Sequence, residues 1–241
     1  MTIRADDNYD GITSIEGMQQ LLGIPHNKTD GRAFNSFFDR MEARYRERDK
    51  GGNTEELLEQ QWRARVPARY QSADIRLLES KRGVDKLRKA MQKTMVRDGF
   101  VPSFYLAGKE QSGKTFYAYS IIRELHRTGR INLDRMLTIS QEDVEFWDSA
   151  GFQGKSKLMD MTSSRWQFFL IENLDVGKST KVWDRFFGHV YNNSLPLVVT
   201  STNTLSEVSK DVSSRTHTRL FRLFPPDYRI TFTSKFPGEE Q

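Results

Sequence analysis

Short, nearly unbroken apolar runs alternate along this chain with longer stretches in which apolar residues recur every three or four positions. The runs at 104–107 (FYLA), 135–139 (RMLTI), 166–171 (WQFFLI), 195–200 (LPLVVT) and 229–232 (RITF) read as strands. Between them, helical spacing predicts helices over 116–127, 142–147, 182–192 and 213–220. In the first of these, Tyr119, Ile122 and Leu125 fall roughly on one face, and Gly129 stands just beyond the end. Residues 151–156 show no such period and read as a polar stretch.

The region before the first strand reads as helices joined by turns, after an unstructured start. Residues 1–12 are polar and read as unstructured. Thr13 and Glu16 form a capping box for a helix carrying Ile15, Met18, Leu21 and Leu22, which Gly23 and Pro25 stop. A second helix covers 34–48 with Phe34, Phe37, Phe38, Met41 and Tyr45 on one side. A third is capped by Asn53, helped by Glu56, and carries Leu57, Leu58 and Trp62. One or two more lie between 74 and 97, their apolar side made of Leu77, Leu78, Val84, Leu87, Met91 and Met95. A module as small as residues 1–65 buries little surface alone. Its aromatic-rich face is expected to be a core partly covered by a partner or by the rest of the chain.

The strand at 104–107 and the helix at 116–127 are joined by GKEQSGKT, Gly108 to Thr115, which fits G-x-x-x-x-G-K-[ST]. Gly108 and Gly113 let the backbone turn tightly and bring its N–H groups close to phosphate oxygens. The cradle runs from Gly108 through Ser112 and Gly113 to Phe116, at a helix N-terminus whose dipole favours anions. Lys114 places a point charge between the β- and γ-phosphates of a nucleotide, and the Thr115 hydroxyl takes one Mg²⁺ position.

Composition narrows the class. The chain has 241 residues, 29% of them charged, and a mean hydropathy of -0.67, so one domain with an appendage and much solvated surface is expected. No apolar run approaches the roughly 18 residues of a spanning helix, and no secretory signal is visible. With no cysteine there is no disulfide framework and no Cys-based zinc site, and four scattered histidines offer no ligand spacing. A soluble, cytoplasmic protein without membrane contact is expected. The net charge is +5, but residues 60–97 carry eleven Lys/Arg against three Asp/Glu, so the remainder is slightly acidic. Such a segment is either a solvated helix face or a contact for an anionic polymer.

The strand at 166–171 delivers Glu172-Asn173-Leu174-Asp175. Apolar residues ending in acids are what a Walker B strand requires: one acid serves Mg²⁺ and a second polarises the attacking water. Here Glu172 takes the first place and Asn173 the second. Asn lacks the carboxylate of a base but can orient a water, so slow hydrolysis is expected, with Asp175 as a substitute if the strand is shifted. The strand at 195–200 delivers Ser201, Thr202 and Asn203, with Asn203 placed to touch a γ-phosphate or its water. Arg215 and Arg219 stand four positions apart, hence on one helix face.

These residues resemble the DnaC/DnaI/IstB group of AAA+ ATPases, the helicase loaders and their transposition relatives. VPARY at 66–70 looks like the I-P-x-R-Y segment that precedes the ATPase in that group, and YNNSLPLVVTSTN at 191–203 is similar to its sensor-1 strand. The phosphate loop falls at the family distance, and Arg215 and Arg219 fall where its box VII arginines stand. The resemblance spans 66–241. It implies an α/β fold with a central parallel sheet and no C-terminal helical lid, preceded by the 1–65 helical module. It also implies ATP and Mg²⁺ at Lys114, Thr115 and Glu172, and an arginine finger from a neighbouring subunit, Arg219 before Arg215. Assembly in a row or open spiral follows. Family members hold a hexameric DnaB-type helicase with the N-terminal module and grip single-stranded DNA with the ATPase domain. Three alternatives remain open: an IstB-like transposition ATPase, a nucleotide-gated DnaA-type adaptor with little hydrolysis, and a small-molecule P-loop kinase.

Overall fold

The computed structural model describes residues 54–78, 82–97, 101–177 and 179–233. The helices expected near 13–22 and 34–48, and the Asn53 cap, lie outside the described residues. Within them, two helices, α1 (Thr54–Arg65) and α2 (Arg82–Val96), precede the first strand, β1 (Phe104–Gly108). There follow α3 (Lys114–Arg127), β2 (Met136–Ser140), α4 (Gln141–Ser149), α5 (Gly151–Asp160), β3 (Phe168–Glu172) and α6 (Thr180–Asn192). The chain then forms β4 (Leu197–Ser201), the short α7 (Leu205–Val208), α8 (Ser214–Leu223) and β5 (Arg229–Phe232). Among the described residues no helix follows β5.

The five strands form one parallel sheet in the order β2-β3-β4-β1-β5. Both faces of β1, β3 and β4 are covered, which is why these strands read as continuous apolar runs rather than alternating ones. Alternation is instead between two cores. Phe104, Leu106, Phe168, Leu170 and Val198 pack on one side with α1, α2 and α3 residues such as Trp62, Leu87 and Ile121. Tyr105, Phe169, Ile171, Leu197 and Val199 pack on the other with Val144, Trp183, Phe187 and Leu220 from α4, α6 and α8.

Trp62 of α1 is almost fully buried in the first core, edge-on to Tyr119 of α3 with ring centroids 6.4 Å apart. Its Nε1 donates to Gln71 O at 3.0 Å. α1 is thereby fastened to the sheet domain. Between 74 and 78 the chain turns rather than forming a helix, and Leu77 is exposed.

One expectation is corrected. Residues 151–156, read as a polar stretch, begin a helix, α5, which doubles back on α4. Only a glycine allows that return so tightly: a Cβ on Gly154 would lie 1.8 Å from Trp147 O. The helix was hidden because it buries little of its own surface, and Phe152 and Met159 are exposed.

Candidate nucleotide-binding site

β1 sits between β4 and β5, with β3 beyond β4, so the loops at the carboxyl ends of β1, β4 and β3 are neighbours. Open α/β sheets bind ligands at this end, at the point where strand order reverses. Here the chain leaves central β1 and next enters the sheet at its far edge, as β2.

The loop after β1 is shaped by its glycines. Gly113 takes φ 79°, a left-handed conformation, as the residue opening α3. Gly108 is registered beside Phe232 of β5, and a Cβ there would lie 2.6 Å from Phe232 O and 2.8 Å from Ser112 Oγ. The Phe232 ring stacks on Tyr117 of α3, centroids 4.3 Å apart. The loop is therefore floored by the last strand. Lys114 Nζ donates to Gly108 O at 2.8 Å and Lys109 O at 2.7 Å. Burial holds its ammonium below the usual lysine range, partly offset by Glu110. Ser112 Oγ is buried without a hydrogen-bond partner. An orphaned hydroxyl, a half-desolvated ammonium and a glycine-walled turn are the donor set that phosphate oxygens satisfy. Phe116, half-buried, anchors the start of α3 in the first core.

Across from the loop, Glu172 ends β3. Burial raises its carboxyl above the usual range, against the opposing effects of the Arg69 charge and a hydrogen bond from Tyr119. Tyr119 stacks on Tyr70, rings 4.6 Å apart and 18° from parallel, and the Tyr70 hydroxyl lies toward Thr115. Two stacked tyrosines thus connect the two side chains expected to serve Mg²⁺. Among the described residues no group of three or more His, Cys, Asp or Glu could hold a metal ion. The Thr115 hydroxyl and the Glu172 carboxyl are oxygen donors of the kind that hard cations take alongside phosphate oxygens and water.

Asn173 follows Glu172 at φ 54°, also left-handed, and is exposed. Its N–H donates to Thr200 Oγ1 at 3.0 Å, and Leu174 N–H to Thr200 O at 2.8 Å. Ser201 Oγ donates to Leu174 O at 2.7 Å and accepts from Asn203 N–H at 3.0 Å. Tyr105 donates to Asn203 O. The β4 terminus therefore staples the β3 terminus and holds Asn203 beside it. Asp175 accepts from Gly177 N–H at 3.3 Å, an Asx turn within its own loop.

Arg215 and Arg219 are not part of this cluster. Both lie on α8, where Arg215 is exposed. Arg219 is 5.7 Å from the Tyr191 ring centroid and donates to Asn192 Oδ1 at 3.4 Å. The basic 60–97 segment is largely tied into the body. Arg65 pairs with Asp134 at 2.6 Å, Lys93 with Asp227 at 2.7 Å and Arg76 with Asp74 at 3.4 Å. Arg88 is buried, donating to Leu78 O. Arg69 and Lys89 remain exposed. Sequence reasoning assigned no role to Arg69, Tyr70 or Tyr119. The signal available was the VPARY segment, but the stacking depends on residues about fifty positions apart.

No protein-family model and no curated protein matches the chain. Solved structures do. The crystal structure of DnaI superposes with a TM-score of 0.56 at 15% identity, over 70% of this chain and 92% of that one. A candidate primosome component from Streptococcus pyogenes serotype M3 gives 0.54 at 11% identity, over 70% and 89%. AMPPCP-bound DnaA from Aquifex aeolicus gives 0.50 at 12% identity, over 69% of this chain and 51% of that protein, about half its length. At such identities the likeness concerns the fold, which is that of the AAA+ P-loop ATPases: a central parallel sheet between helices. No helix among the described residues is long and apolar enough to cross a membrane.

Proposed function

We propose that this chain is an ATP-dependent helicase loader that binds Mg²⁺-ATP and hydrolyses it slowly. The observation that carries the reading is the glycine-walled loop that seats Lys114 Nζ on Gly108 O and Lys109 O, at the same end of the parallel sheet as Glu172. Lys114 exchanges its two carbonyl contacts for phosphate oxygens, and Ser112 Oγ gains a partner. Thr115 and Glu172 supply the protein ligands for Mg²⁺, which offsets phosphate charge when bound. Asn203 and Asn173 orient the attacking water, and the lack of a carboxylate at 173 keeps turnover low.

Arg219, placed away from its own chain's loop, serves the nucleotide of a neighbouring copy, with Arg215 as second choice. That arrangement requires assembly in a row or open spiral. The fold likeness to DnaI and to the primosome component favours a DnaB-type replicative helicase as the partner of the N-terminal module and single-stranded DNA as the partner of the ATPase body. The missing carboxylate at Asn173 favours one second reading, a nucleotide-gated adaptor that binds ATP without appreciable turnover.

The test is a pull-down with the replicative helicase of the source organism, with ATP, with ADP, and with residues 1–53 deleted. The deletion stops at 53 because Trp62 belongs to the core of the body. Capture of the helicase that is lost on deletion is the expected result. No capture in any nucleotide state overturns the loader reading, and ATP binding with no detectable turnover then favours the adaptor.

A further inference from the structure

Pro67 opens a single 3-10 turn over Ala68–Tyr70, and Gln71 clamps it. Gln71 Nε2 donates to Arg63 O and Val66 O, while Gln71 O accepts from Trp62 Nε1 at 3.0 Å and Arg123 Nη1 at 2.8 Å. The turn is thus fixed to α1 on one side and α3 on the other. It holds Tyr70 flat against Tyr119, and Arg69 lies over the Tyr70 ring, its Cζ 4.7 Å from the centroid. Tyr119 reaches Glu172 and Tyr70 reaches Thr115. Among the described residues Arg69 makes no ion pair; it is exposed, and its charge is felt by the Glu172 carboxyl.

An exposed guanidinium has no need of so rigid a support for solubility. A terminal phosphate placed between Thr115 and Glu172 brings more negative charge against a carboxylate already paying for burial. Lys114 answers that charge from the loop side only. On the Glu172 side the cation available is Arg69, whose planar fork matches phosphate oxygens.

We propose that Arg69 is a nucleotide-binding residue acting within its own chain, contacting the terminal phosphate of ATP, and that Tyr70 is a positioning residue whose ring presents it. This rests on the phosphate-loop reading above and adds a basis for distinguishing ATP from ADP. Arg69 sits on the Glu172 side of the site, where the γ-phosphate would be, so its loss weakens ATP binding and largely spares ADP.

The experiment is calorimetric titration of the full chain with AMPPCP and with ADP, each with Mg²⁺, for the parent, Arg69→Ala, Arg69→Lys, Tyr70→Phe and Tyr70→Ala. Arg69→Ala should weaken AMPPCP binding about tenfold or more, the range of a lost charge-assisted hydrogen bond, and shift ADP binding less than about threefold. Arg69→Lys should recover part of the loss. Tyr70→Phe keeps the ring platform and should stay within about threefold of the parent, while Tyr70→Ala should follow Arg69→Ala. Arg69→Ala binding both ligands like the parent, or losing both equally, overturns the proposal and leaves the phosphate-loop reading intact. Failure of the parent itself to bind either ligand overturns both.

Discussion

Restoring an acid at position 173 probes the chemistry of the site most directly. Asn173 stands at φ 54° with its backbone pinned to Thr200, so Asn173→Asp changes the side chain without shifting β3. Asp enters the left-handed region about as readily as Asn, so it escapes most of the roughly 1–2 kcal/mol that other residues lose there. The side chain is exposed, so desolvation is small as well, and the melting temperature should stay within about 2 °C of the parent. A well-placed general base is worth about 10²–10⁴ in rate. Part of that is forfeited here, because a new carboxylate repels Glu172, whose carboxyl burial already holds above its usual range. A gain of at least about tenfold remains, equal to roughly 1.4 kcal/mol off the barrier. The assay is single-turnover phosphate release at saturating ATP near neutral pH, with AMPPCP affinity and melting temperature measured in parallel. Asn173→Asp that folds and binds like the parent but turns over no faster refutes the reasoning, and position 173 then has no part in positioning water.

Three further outcomes are expected. Trp62→Ala removes a fully buried indole and its hydrogen bond to Gln71, costing about 3–5 kcal/mol and lowering the melting temperature by roughly 10 °C; a fall under about 3 °C would show α1 to be no part of the body. Glu172→Gln should melt higher than the parent at neutral pH while abolishing hydrolysis. A carboxyl whose folded pKa is raised stabilises the fold fully below its unfolded value and loses that contribution as pH rises, so the difference should vanish below about pH 4; a pH-independent gap contradicts the burial argument. Gly188→Ala puts a Cβ 2.8 Å from Arg219 Nη1, the movable end of a side chain. It should swing Arg219 off Tyr191 with little change in melting temperature, since about 1 kcal/mol of helix propensity offsets the lost contacts, yet alter ATP-dependent assembly in sedimentation. A drop above about 6 °C would show Arg219 to be locked in place.

What the sequence made legible follows from burial. β1, β3 and β4 are covered on both faces, so their residues had to be apolar throughout and stood out as runs. β5, at the sheet edge, was legible only through alternation, with Ile230 and Phe232 buried and Thr231 exposed. The phosphate loop was legible because close backbone approach restricts residue type at fixed spacing. α5 was not, since a helix that leaves Phe152 and Met159 in solvent has no clean apolar face, and its Gly154 looks like a breaker until Trp147 is seen against it. The Arg69–Tyr70–Tyr119 stack was missed for a different reason. Its members are ordinary residues in their own neighbourhoods, and only the docking of α1 and the following turn onto α3 brings them together. The fate of the basic segment was not legible either: charge counting cannot see that Asp134 and Asp227 come back from afar to pair with Arg65 and Lys93.

The position of Phe232 beneath Gly108 also orders events in time. A ribosome delivers β1 and the GKEQSGKT loop long before it delivers β5. Through that interval Gly108 has no neighbouring strand on one side and Tyr117 has no ring to lie against. A nascent chain that has not reached residue 232 therefore carries the full phosphate-binding motif but not its floor, and it should hold ATP poorly.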